Sequence, residues 1–481
     1  MNIFKKFPKT FWVANSSELF ERWAWYGLFN VLAIYLTDPT DTGALGFSQE
    51  QKGALMGIIS SMVYFLPVFT GAISDKIGYK KSLIIAFVLY FVGYLLMGQV
   101  SSYTAVFIAF GIVGLGAAIF KPIISATISK TTTKETSSLG FGIFYMMVNF
   151  GALIGPVVAS KLREENWNYV FFSSAAAIGI NILLVLFLYK EPVKELNKDS
   201  LLDSIKKIFL NIITVFKDWK FLLFLLLIVG FWTMYMQLFF TLPVFIGQWM
   251  DTTILYDAIA SISPMLASKI GTPTGEIAPE MILNIDALYI VIFQIMISTF
   301  VMKWKALNAM ISGIFVAAVG IGLMFMFNSP FFVFLAILIF AFGEMASSPK
   351  ITEYIGLIAP KDKKALYMGM SFLPVAGGNF FAGILSGNVY GAMSDKITII
   401  TKELTKNNIT VPEISESFTQ TDLINLACNK LDMSQTELTN YLWTTYNPDN
   451  IWFVFTAIGL VTVVGLILYN KFIIKTEKKE L

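Results

Sequence analysis

Apolar runs of about 20 residues recur along this chain, and no other feature restricts its fold so strongly. A run of that length crosses a bilayer as an α-helix, which satisfies its backbone polar groups within the segment. Twelve runs are read, at 11–36, 49–73, 80–99, 103–129, 137–160, 169–189, 219–246, 282–303, 306–327, 330–358, 364–393 and 450–472. Composition agrees: 56% of the residues are hydrophobic and 14% charged, against roughly a quarter charged in soluble domains. The fold class expected is an all-α membrane protein with twelve transmembrane helices in two six-helix bundles.

Residues 190–218 are rich in lysine and separate six runs from six more. The chain is therefore read as a bundle at 1–189, a linker at 190–218 and a second bundle at 219–481. Two stretches of the second bundle read as outer-side insertions. Residues 247–281 end in the turn-rich GTPTGEIAPE, and 394–449 are polar. Both are expected to be ordered, since long structureless loops are rare in compact proteins.

Lysine placement sets the orientation. Lys5, Lys6 and Lys9 precede the first run, and Lys76, Lys80 and Lys81 follow the second. Lys190, Lys194, Lys198, Lys206, Lys207, Lys217 and Lys220 crowd the linker region, and Lys361, Lys363, Lys364, Lys471, Lys475, Lys478 and Lys479 come later. The loops 38–49 and 99–103 carry neither lysine nor arginine. The positive-inside rule then puts both termini and the linker in the cytoplasm, with a bacterial-type inner (plasma) membrane as the setting. The lipid bilayer is one expected partner. A net charge of +3 gives no reason to expect nucleic acid.

One cysteine, Cys428, excludes an internal disulfide framework. The absence of histidine removes Ser-His-Asp and Cys-His catalysis and every histidine-ligated metal or haem site. No cofactor or metal is expected. The soluble-side loops hold no nucleophile–base pair, so the chain does not read as an enzyme.

Charges inside membrane spans are costly and mark function by default. Glu18, Glu21 and Arg22 stand at i, i+3 and i+4 and share a helix face with Trp25 and Tyr26. At the helical rise they lie roughly 10–17 Å in from the cytoplasmic boundary, Lys121 roughly 12 Å and Glu344 roughly 21 Å. Charges of both signs from three helices thus lie at similar depth. A structural lock between helices is the competing reading, but a lock needs fewer charges and no spare acid. A zwitterionic solute needs a cation and an anion set apart with apolar room between them, and Lys121 and Arg22 against Glu344 supply that. With no histidine, the proton carrier must be a carboxylate, and Glu18 or Glu21 beside Arg22 and Lys121 suits the task. Asp286, about one turn inside the outer boundary, reads as a snorkelling side chain, with a cap or gate as the alternative. Lys350 and Glu353 read as a pair near the cytoplasmic end. Pro122, Pro156, Pro243, Pro349 and Pro374 are expected to bend their helices.

The stretch ELFERWAWYG resembles E-x-x-E-R-F-x-Y-Y-G, the opening motif of the proton-dependent oligopeptide transporters of the major facilitator superfamily. VYFLPVFTGAISDKIGYKKSL (63–83) is similar to the family's second-span tyrosine and conformational loop, and GAAIFKPIIS (116–125) to F-K-P-x-x-S. FYMMVNFGALIGP, GEMASSP and MGMSFLPVAGGNFFAG look like three further motifs, in the family's order. The resemblance implies two bundles rocking about a midplane site. It also implies a symporter that imports short peptides or related amphoteric compounds with protons.

Roles follow residue by residue. Glu18, Glu21, Arg22 and Lys121 match the proton-coupling set. Arg22, Tyr26, Tyr64, Lys121, Asn149, Gln237, Asn284 and Glu344 match substrate contacts, Lys121 for the carboxylate and Glu344 for the amine. Gly71, Asp75, Gly78, Lys80 and Lys81 belong to the conformational loop. The family's arginine after Tyr-Tyr-Gly is Phe29 here, its seventh-span glutamate is Met236, and its eleventh-span tryptophan is Ser371. The helix pair that many bacterial members carry between the bundles has no counterpart in the linker. Two alternatives stay open: a facilitator or exporter of another small zwitterionic or anionic metabolite, and a non-transporting membrane component that binds a partner through its outer insertions.

Overall fold

The computed structural model describes residues 6–133, 135–192, 201–324, 329–361, 363–415 and 417–474. Lys5, Lys194, Lys198, Lys475, Lys478 and Lys479 therefore lie outside the described residues. Among the described residues, ten helices are long and apolar enough to cross a membrane, and the bent pair Gln49–Phe65 and Pro67–Ile77 makes an eleventh span. The helix Lys9–Thr37 is 29 residues long but less apolar than these. Glu18, Glu21 and Arg22 lower its hydropathy. With it, each of the twelve runs has its helix.

The chain divides into two compact units. One comprises Met1–Phe29, Ile59–Leu222 and Ala359–Ala376; the other comprises Asn30–Ile58, Leu223–Ile358 and Gly377–Leu481.

In the first unit, helices Tyr79–Met97, Tyr103–Lys130, Ser137–Glu165 and Trp167–Phe187 pack with the start of Lys9–Thr37. Small residues let these backbones approach closely. A Cβ on Gly155 would stand 2.5 Å from the Trp23 carbonyl oxygen, and one on Gly151 would stand 2.5 Å from the Arg22 Cβ. The glycine pair therefore fixes the depth at which Arg22 sits. Pro122 and Pro156 lie inside continuous helices. A bend of 48° falls at Pro67, which has no N–H to give the preceding turn. Among the described residues of the linker, Leu201–Phe216 forms a helix.

In the second unit, Ala306–Leu323 packs on Pro330–Ile358 through Gly313 and Gly343. The seventh run breaks at Met236 and Thr241 into Trp219–Tyr235, Gln237–Phe240 and Leu242–Trp249, Pro243 standing in the first turn of the last piece. Both insertions fold into short helices. Residues 253–270 form Thr253–Ile262 and Pro264–Ile270. The longer insertion forms Lys396–Lys406, Gln420–Leu431 and Gln435–Tyr446. The last two open on capping boxes, Thr419 with Asp422 and Ser434 with Glu437, which satisfy otherwise orphaned helix N–H groups. Asp395 gathers this unit together: its carboxylate accepts from Gln49 Nε2 at 2.9 Å, Gln248 Nε2 at 2.9 Å, and Thr398 N and Oγ1 at 2.9 and 2.8 Å.

Candidate functional site

In the first unit Glu18, Glu21 and Arg22 of Lys9–Thr37 form one buried cluster. Arg22 grips Glu21 as a fork, Nε to Oε2 at 2.5 Å and Nη2 to Oε1 at 2.7 Å. This bidentate geometry is the strong form of the pair. Glu21 is wholly buried and also accepts from the Tyr90 hydroxyl. Glu18 holds Arg22 more loosely, Oε1 to Nε at 3.3 Å. Tyr26 places its ring 5.6 Å from the Arg22 guanidinium carbon.

Lys121 is handled differently. Its Nζ lies 3.7 Å from the centre of the Tyr64 ring, a cation–π contact. Among the described residues it makes no ion pair. It lines a cavity of about 430 Å³ together with Glu18, Arg22, Pro67, Phe144 and Met370. That volume falls within the roughly 300–1,000 Å³ of small-molecule sites. Glu18, Arg22, Tyr64 and Lys121 thus lie together. Asn149 is not among them: its amide donates to the Tyr145 carbonyl of its own helix at 2.8 Å, and it does not line the cavity.

In the second unit Glu344 Oε1 accepts from the Tyr235 hydroxyl at 2.9 Å, while Oε2 has no hydrogen-bond partner among the described residues. Gln237 is fully buried, and its amide is engaged by the Thr233 and Ala382 carbonyls and the Thr241 hydroxyl. Asn284 is buried where Pro279–Leu283 meets Ile285–Val301. Asp286 does not snorkel. It is 5% exposed, within electrostatic reach of Glu344, and its Oδ1 lacks a hydrogen-bond partner among the described residues. The helical rise gives a residue's depth but not the direction it faces, and Asp286 faces inward. Lys350 and Glu353 do pair, at 2.7 Å.

The conformational loop is held by local bonds. Gly78 has φ +101°, a backbone region that favours glycine. Asp75 accepts from the Tyr79 hydroxyl at 2.8 Å, and Lys80 Nζ donates to the Leu186 carbonyl at 2.9 Å. Gly71 packs against Pro122, and Lys81 is exposed. The carboxylate of Glu191 receives the N–H groups of Tyr79 and Lys80 at 2.6 and 2.9 Å and so caps Tyr79–Met97.

Sequence reasoning missed Tyr90, Tyr235, Glu191 and Lys52. Lys52 is a wholly buried lysine whose Nζ donates to the Phe240 carbonyl at 2.9 Å. Its charge inside the second run was the available signal. The tyrosines gave none, because their partners lie on other helices.

A helical membrane fold with buried charges of both signs around a solute-sized cavity is that of a solute carrier. Residues 17–382 match the Major Facilitator Superfamily, and the chain belongs to it. That superfamily is one of transporters, not enzymes. A stretch of 197 residues is 30% identical to dipeptide and tripeptide permease B of Photorhabdus asymbiotica, covering 40% of this chain and 39% of that protein. Another, of 183 residues, is 29% identical to the uncharacterized transporter YclF of Bacillus subtilis, covering 37% of each. The alignments thus span about two-fifths of these relatives' length. A solved POT family transporter in complex with 5-aminolevulinic acid superposes with TM-score 0.67 at 17% identity, over 96% of this chain and 99% of that one. The nucleoside transporter NupG does so with TM-score 0.67 at 15% identity, over 96% and 99%. At these identities the likeness is one of fold.

Proposed function

We propose that this protein is a proton-coupled symporter that imports di- and tripeptides, or related amphoteric compounds, by alternating access. The observation that carries the reading is Lys121, a cation with no ion-pair partner among the described residues, on a solute-sized cavity beside an arginine already satisfied by two acids. Lys121 receives the substrate carboxylate, with Arg22 at its side, and Glu344 receives the amino terminus. Permeases named for di- and tripeptides among the relatives support the substrate class.

Charge balance explains the coupling. Glu18, Glu21, Arg22 and Lys121 sum to zero, so an arriving carboxylate leaves one uncompensated negative charge in a region of low dielectric. Protonation of one acid restores neutrality, which ties proton entry to substrate entry. Glu18 suits the task better than Glu21, because Glu21 is saturated by Arg22 and Tyr90 while Glu18 lines the cavity. Two six-helix bundles, at 1–189 and 219–481, are the moving parts. The lysine distribution supports cytoplasmic termini and an inner membrane with its lipid as the setting.

The test is uptake of labelled dialanine by purified protein in liposomes under an imposed inward proton gradient. Unaltered protein accumulates the peptide, whereas Glu18→Gln performs counterflow exchange but no accumulation. Accumulation by Glu18→Gln equal to the unaltered protein's defeats the coupling assignment, and no peptide uptake by unaltered protein defeats the substrate reading.

A further inference from the structure

The linker helix Leu201–Phe216 carries no role in the symport mechanism, yet two of its side chains, Ile208 and Asn211, line the same cavity as Lys121 and Glu18. They stand at i and i+3 and so share one face. The helix is anchored at several points. The Phe209 ring lies 5.5 Å from that of Phe69, and Val215 is wholly buried. Just beyond the helix end, Asp218 accepts from the Phe221 N–H at 3.1 Å and from the Tyr367 hydroxyl at 2.7 Å, and the Phe221 and Tyr367 rings lie 4.5 Å apart. A segment tied in this way holds its side chains at defined positions, whereas a slack tether between bundles does not.

We propose that this linker helix is a wall of the substrate cavity and that Ile208 and Asn211 select the substrate's carboxyl-terminal side chain. The inference rests on the peptide reading and deepens it. All short peptides share two charged ends, so those ends cannot distinguish one peptide from another. Pro67, Val68, Ile208, Asn211 and Phe372 line the same cavity as Lys121, so a carboxylate held by Lys121 brings the side chain of its own residue among these walls. The linker helix therefore meets the residue whose carboxylate Lys121 holds, the last residue of the peptide.

Two isomeric dipeptides separate these ends: Ala-Phe and Phe-Ala have the same composition and the same charges. In liposomes under a proton gradient, Ile208→Trp fills the wall and lowers Ala-Phe uptake relative to Phe-Ala by at least about tenfold, the scale of discrimination set by the fit of an apolar pocket. Ile208→Ala widens it and shifts the ratio the other way, toward peptides that end in a large residue. An unchanged Ala-Phe to Phe-Ala ratio in both variants, whether uptake is retained or lost for both peptides alike, overturns the inference. Failure of the unaltered protein to take up either isomer is a different result, which overturns the peptide reading itself.

Discussion

At the residue scale, the two acids next to Arg22 have different duties. Glu21 is wholly buried and completes the fork with Arg22 while accepting from Tyr90. Neutralising it leaves the buried guanidinium with one charged partner, Glu18, at 3.3 Å. Breaking a buried pair from one side is strongly destabilising. Glu21→Gln is therefore expected to lower unfolding stability by about 3 kcal/mol, and Glu18→Gln by clearly less, since the fork survives it. Thermal unfolding of the two variants in the same detergent measures the difference; equal losses would show that the fork does not bear on stability. The trio itself was legible in the sequence, because i, i+3 and i+4 charges in an apolar run permit few other readings. Tyr90 was not, since only tertiary packing brings it to Glu21.

At the scale of elements, run length predicted the eleven apolar spans, because a bilayer imposes a minimum helix length whatever the packing. It did not predict the break. Five prolines were expected to bend helices: Pro243 and Pro374 stand just after breaks in the helical pattern, Pro122, Pro156 and Pro349 lie within continuous helices, and the 48° bend is at Pro67, outside that set. A proline removes one hydrogen bond, and whether the helix then bends depends on what packs on either side. Contact between Lys9–Thr37 and Ser137–Glu165 depends on glycine. Gly155→Ala forces a methyl to 2.5 Å from the Trp23 carbonyl oxygen, an overpacking that costs about 1–3 kcal/mol. Gly142, on the same helix, has open space within 4 Å of where a Cβ would stand, so Gly142→Ala gains roughly 0.5–1 kcal/mol from helix propensity. Opposite shifts in melting temperature are the expected outcome, and shifts of like sign would refute the close-contact account.

At the scale of the whole molecule, the sequence placed the insertions and their order but not the residue that organises them. Asp395 is not singled out in the sequence; it caps Lys396–Lys406 through the Thr398 N–H. In the structure it also receives Gln49 and Gln248, residues separated from it by 346 and 147 positions. Asp395→Ala leaves these amides unsatisfied and removes a cap, at about 1–3 kcal/mol for each buried group left unpaired. Hydrogen exchange is expected to quicken together in 49–57, 242–249 and 396–406. Acceleration confined to 396–406 would reduce Asp395 to a local cap.

The position of the single cysteine has a practical consequence. Cys428 is half-buried in the helix Gln420–Leu431 of the longer insertion, and burial pushes its thiol above the ordinary range. The unmodified chain thus carries its own sidedness reporter, with no engineered tag. A membrane-impermeant maleimide applied to intact spheroplasts should modify it if the insertion faces outward. Because only the thiolate reacts, modification should speed up as the bath is made more alkaline. Labelling that appears only after the membrane is breached would invert the assigned topology, and with it the direction in which substrate and proton are taken to travel.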